Sequence, residues 1–206
     1  CQNGHFSSLV ENGFYSGASE TRVAGCTMII NGGNFSGGIN TIKNDDYGVL
    51  TIYDGNFANT TQAALLNWNE ATVENGTFES TGPAVLNGGG NDTMDKGTLN
   101  LKGGTFTGAA GQDAVAAMNG QASYLNGVDI TGGAYSSDVS QMVATGSSEL
   151  VKASGDNRYQ VGQYTSSTNG VTAATQLNGT NVFFESLNDA VNQKGVTSVN
   201  VVANAT

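Results

Sequence analysis

One register recurs along this chain: an apolar residue, a second apolar residue two positions on, a glycine three further, and an aromatic two after that. It is plainest in Leu50, Ile52, Gly55 and Phe57. Met28, Ile30, Gly33 and Phe35 have the same offsets, as do Ala71, Val73, Gly76 and Phe78. So do Leu99, Leu101, Gly104 and Phe106, then Val128, Ile130, Gly133 and Tyr135. Tyr15 has Gly13 and Val10, with Ser8 at the weaker outer place, and Phe6 has Gly4 and Cys1. A pattern repeated this often marks a repeat architecture and constrains the fold before composition does.

The period of a strand gives each copy its shape. Leu50 and Ile52 point to one face and Thr51 and Tyr53 to the other. The glycine permits a left-handed or bent corner, and the aromatic fills the space inside it. One copy cannot bury its apolar face alone, whereas stacked copies can. The anchors Tyr15, Phe35, Phe57, Phe78, Phe106 and Tyr135 are separated by 20, 22, 21, 28 and 29 residues. That is the length of one coil of a parallel β-helix. It is too short for a propeller blade and lacks helical periodicity. The leucine-rich-repeat consensus is missing. The extra length of the last two coils is assigned to polar bulges such as Gly88 to Lys96.

A second signal follows the aromatic in each coil: Ala63-Ala-Leu-Leu-Asn67, Pro83-Ala-Val-Leu-Asn87, Val115-Ala-Ala-Met-Asn119, and a shorter Gly38-Ile-Asn40. These read as a further strand closed by asparagine. Stacked asparagines can form a ladder of side-chain amides between coils, and they tolerate left-handed turns.

Composition bounds the function. Thirty glycines against one proline, with many Asn, Thr and Ser, suit a turn-dense β structure. A net charge of −10 with only seven Lys and Arg disfavours nucleic acid and anionic membranes as partners. No apolar run is long enough to span a membrane. Low Lys with abundant Asn, Thr and Gly is an extracellular style of surface. The chain opens on a cysteine with no signal segment before it, which suggests an excised or processed portion of a longer protein. Cys1 and Cys26 admit three readings: a disulfide in an oxidising compartment, an acylated Cys1, or buried free thiols. Free thiols are the expectation.

After Tyr135 the register stops. Ser136 to Ser147 reads as a cap over the open end of the stack, which would otherwise expose strand edges. Arg158–Tyr164, Val171–Leu177 and Asn181–Glu185 read as strands. Ser186 N-caps a helix from Leu187 to Lys194 that stops at Gly195, and Thr197–Val202 is a final strand.

Gly132-Gly-Ala-Tyr-Ser-Ser-Asp-Val-Ser-Gln-Met-Val143 resembles the closing segment of β-helical repeat regions in large secreted proteins of gut bacteria. Phe184-Glu-Ser-Leu-Asn-Asp-Ala-Val191 with Thr197-Ser-Val-Asn-Val-Val-Ala-Asn204 is similar to the lead-in that opens a further such region. With the Gly-Gly-Thr-Phe corners, the resemblance covers most of the chain. It implies a surface-displayed, adhesin-like protein and brings no catalytic residues with it.

A polysaccharide lyase needs a Ca²⁺-binding carboxylate cluster near a base. The candidates are Asp45, Asp46 and Asp54 with Lys43, or Asp92 and Asp95 with Lys96. The plainer reading makes Asp45-Asp46 a solvated turn. A glycosidase needs two facing carboxylates; Glu70, Glu74 and Glu79 read as solvated charges. With His5 the one histidine, a Ser-His-Asp triad or a histidine-rich zinc site is disfavoured. Gly88-Gly-Gly90 lacks the Lys-Ser/Thr of a phosphate loop. No cofactor or metal is expected. The non-anchor aromatics Trp68, Tyr53, Tyr47 and Tyr124 are the ligand-binding candidates, since exposed rings on a polar β surface can stack on sugars; the plainer reading is surface packing over a neighbouring coil.

The resulting expectation is an all-β chain. A right-handed parallel β-helix of about seven coils spans 1–148 with its cap, and a small α/β tail spans 149–206. Handedness follows the usual crossover. At ~4.8 Å per coil the rod is about 30 Å long. The expected role is a non-catalytic adhesin or stalk segment on a bacterial cell surface, with glycans or host surface proteins as partners. A carbohydrate-active lyase or glycosidase and a phage fibre or capsid decoration protein are the alternatives.

Overall fold

The computed structural model describes residues 8–13, 26–89 and 95–202, and through them the chain visits three parallel sheets in rotation. The first sheet holds Cys26–Ile30, Gly48–Ile52, Glu70–Val73, Thr98–Leu101 and Val128–Ile130. The second holds Asn34–Ser36, Asn56–Asn59, Thr77–Ser80, Thr105–Thr107 and Gly133–Tyr135. The third holds Val10–Asn12, Asn40–Asn44, Ala63–Asn67, Val85–Asn87 and Val115–Ala117. Each strand pairs with the equivalent strand one circuit later. The class is therefore all-β and β-helix-like.

The pairing follows the sequence register. Met28 lies opposite Leu50, Leu50 opposite Ala71, Ala71 opposite Leu99 and Leu99 opposite Val128. Phe35, Phe57, Phe78, Phe106 and Tyr135 align in the same way on the second sheet. Their rings stack in one column, with centroids 5.2, 4.6, 5.0 and 4.9 Å apart and planes within 14°. The corner glycine makes this possible. Gly55 has φ +141°, and a Cβ there would sit 2.8 Å from the Phe57 ring. Tyr135 closes the column, its hydroxyl donating to the Gly132 carbonyl at 2.8 Å.

The third sheet carries a ladder of buried amides. Asn12 Nδ2 donates to Asn44 Oδ1 at 2.9 Å, Asn44 Nδ2 to Asn67 Oδ1 at 2.8 Å and Asn67 Nδ2 to Asn87 Oδ1 at 2.8 Å. Asn44 and Asn67 also donate to the Glu70 and Thr98 carbonyls of the first sheet, tying two sheets together at the corner. Asn67→Ala removes a fully buried amide in mid-ladder and leaves Asn87 Oδ1 and the Thr98 carbonyl without this donor. The expected loss is about 2–3 kcal/mol in denaturant unfolding; a loss within ~0.5 kcal/mol would show that the ladder is incidental.

Several expectations are corrected. Val10 is not a first-sheet residue: Val10–Asn12 pairs with Ile42–Asn44 and belongs to the third sheet. Ladder membership falls to Asn44 rather than Asn40, which pairs with Ala63. It ends at Asn87, because Ala117 takes the next place and Asn119 lies beyond the strand at φ +54°. Part of the extra length of the fourth circuit forms 3-10 turns, Met118–Gly120 and Ala122–Gly127, rather than a polar bulge. Cys26 is disulfide-bonded and so is not a free thiol. Cys1, His5, Phe6, Tyr15 and Asp92 lie outside the described residues.

Beyond Tyr135 the chain closes the stack. Val139 and Met142 are buried in the main core, and Val143 bridges in parallel to Ile130. The second sheet then continues across residues 148 and 149. Tyr159–Gly162 pairs antiparallel with Gly133–Tyr135, and Ser148–Val151 pairs antiparallel with Tyr159–Gly162. Thr180–Phe184 is parallel to Ser148–Val151, and Ala173–Leu177 and Asn200–Val201 complete a ten-stranded sheet. A second core of Val151, Ala173, Leu177, Val182, Phe184 and Ala190 packs the helix Leu187–Asn192. Ser186 caps this helix, its hydroxyl accepting from Asp189 N–H at 3.3 Å.

Candidate functional site

The four candidate aromatics do not form one face. Tyr53 is exposed, at 51 %. It follows the strand Gly48–Ile52, while Tyr47 precedes that strand in the left-handed region at φ +59°. Trp68 and Tyr124 do meet, edge to face with centroids 6.3 Å apart. They are half-buried: Trp68 lies over Gly88, where a Cβ would come within 2.8 Å of the indole, and packs with Leu66, Leu86 and Met118. Trp68 thus packs over a neighbouring circuit, the plainer of its two readings. Its ring covers the outer side of the third sheet.

The carboxylate candidates are also separated. Asp54 sits at the corner after Ile52, its Oδ1 accepting from Gly55 N–H at 2.9 Å. Asp45 and Asp46 are buried, so the turn before Tyr47 is not solvated as the sequence suggested. Lys43 makes ion pairs with Asp45 and with Glu11, the latter at 3.2 Å. Burial raises the Asp45 carboxyl above its ordinary range against the pull of Lys43. For Lys43 burial acts downward, but hydrogen bonding and charge from Asp45 and Glu11 leave the ammonium above its ordinary value. This lysine is held by its partners and is not a poised base. Lys96 pairs with Glu70, and Lys102 with Glu74 at 2.8 Å, both on the exterior. Glu79 is exposed. Among the described residues no group of three or more His, Cys, Asp or Glu could hold a metal ion. No helix among them is long and apolar enough to cross a membrane.

Two features escaped the sequence. The first is Glu149, fully buried in the strand Ser148–Val151, with no hydrogen bond to either carboxylate oxygen. Burial, and then the charge of Asp138, push its pKa up to about 9; the nearby Val139 N–H pulls weakly the other way without completing a hydrogen bond to it. The second is a polar cleft of 520 Å³ between the end of the stack and the helix Leu187–Asn192. Asp138 and Tyr159 line it. Neither had a local signature: Glu149 falls between Ser147 and Arg158, where the sequence suggested no element, and the cleft draws on residues from Asp113 to Lys194.

Comparison with known proteins finds no match among family models, curated proteins or solved structures.

Proposed function

We propose that this chain is a non-catalytic segment of a surface-displayed, adhesin-like bacterial protein. In this reading it is a stalk built as a right-handed parallel β-helix that presents a binding face to glycans or host proteins. The observation that carries it is the pair of continuous columns, five stacked rings on the second sheet and four linked amides on the third among the described residues. Such columns give a stack a single stiff axis, since every circuit is fixed to the next by the same contacts. The disulfide at Cys26 suits an oxidising compartment outside the cytosol. The acidic, lysine-poor surface suits the same setting.

The test is retention of the purified chain on mucin, plant and microbial glycans, with new reducing ends scored in the same wells. Retention without new ends is expected. New reducing ends would overturn the reading in favour of a lyase or glycosidase. A stable trimer in solution would favour a phage fibre.

A further inference from the structure

The cleft at the end of the stack is a built site rather than a gap. Its volume of 520 Å³ lies within the range of small-molecule sites. Its walls are fixed by hydrogen bonds, three of them between distant parts of the chain. Asp138 accepts from Ser140 N–H and from Gln193 Nε2, each at 2.8 Å. Asn178 Nδ2 donates to Ser140 Oγ at 3.0 Å, and Thr180 Oγ1 donates to the Ser140 carbonyl at 2.8 Å. Asn178 holds a left-handed backbone, φ +53°, at the turn that brings it to the rim. Walls set in advance lose little entropy when a ligand enters.

The lining chemistry selects the ligand. Gln141, Asn178, Asn192 and Gln193 supply side-chain amides, and Tyr159 supplies a half-buried ring. Among the described residues no aliphatic side chain lines the cleft, which disfavours an apolar ligand. Two carboxylates, Asp113 and Asp138, against one ammonium, Lys194, disfavour an anion. Amides both donate and accept, as sugar hydroxyls do, and a tyrosine ring offers a platform for the apolar face of a pyranose. We infer that this cleft is a saccharide site that takes a short neutral oligosaccharide. The inference rests on the display reading above and places its binding function at the capped end of the stack.

The test is an NMR titration of the ¹⁵N-labelled full chain with mannotriose, chitotriose and globotriose, with trigalacturonate as the anionic control. At least one neutral probe should move the amide signals of 138–141, 178–179 and 192–194, and trigalacturonate should not. Gln141→Ala combined with Asn178→Gly should weaken that binding tenfold or more with the dispersed spectrum intact, because glycine is at ease at this φ. Shifts confined to the Trp68 and Tyr124 region would overturn the cleft as the site and leave the display reading standing. Cleft shifts with trigalacturonate alone would overturn the neutral class. No shift with any probe overturns the site; retention of the same protein on the glycan panel would then keep the display reading alone.

Discussion

Phe78→Ala is expected to lower the unfolding free energy by about 4–5 kcal/mol, the upper part of the range for deleting a buried aromatic. The Phe78 ring is fully buried between Phe57 at 4.6 Å and Phe106 at 5.0 Å. Its removal costs the transfer energy of the ring, two aromatic contacts at roughly 0.5–1.5 kcal/mol each, and a cavity. The cavity cannot collapse readily, because Phe57 and Phe106 are held at fixed heights by their own strands. Phe35→Ala is the internal control: Phe35 is half-buried and stacks, among the described rings, on Phe57 at 5.2 Å, so about 1–2 kcal/mol is expected. Denaturant unfolding followed by far-UV circular dichroism reads both. Equal losses at the two positions would mean that the column is not the cooperative spine of the stack.

The column was legible in the sequence because its determinants are local. Ile52, Gly55 and Phe57 lie within six residues, and strand, corner and anchor each need a particular residue type at a fixed offset. The third sheet was less legible. Its ladder asparagine follows the aromatic at varying distance, nine residues for Asn44 and Asn87 and ten for Asn67, in a chain where asparagine is abundant. Val10 shows the cost: Val10, Gly13 and Tyr15 imitate the repeat in sequence, yet Val10 begins a strand that carries Asn12 into the amide ladder. Trp68 stood between two readings for a different reason. Burial of its ring depends on Gly88 one circuit later and on Tyr124 beyond that, a tertiary contact with no trace in local spacing. The cleft was invisible on the same grounds.

Glu149→Gln is expected to stabilise the protein by about 3 kcal/mol at pH 7 and to change little at pH 4. Glu149 lies opposite Val161 on one neighbouring strand and Val182 on the other, so apolar side chains flank the carboxyl. The polar groups that bear on it are Asp138, which repels its charge, the Tyr135 and Tyr159 hydroxyls, and the Val139 N–H. With its pKa near 9 in the fold against an ordinary 4.5, this group holds its proton more tightly folded than unfolded. Its contribution to stability is therefore complete below about pH 4.5 and is lost as pH climbs through about 9. Glutamine keeps the shape and the unpaired polar atoms of the protonated acid but does not titrate. The difference in unfolding free energy between variant and wild type should accordingly rise with pH across that window, whatever the other carboxylates do to each protein separately. A difference that stays flat from pH 4 to 9 would mean that water or a rearranged partner solvates Glu149 in the fold. A rising one would show that ionising Glu149, in the strand Ser148–Val151 of the ten-stranded sheet, opposes folding.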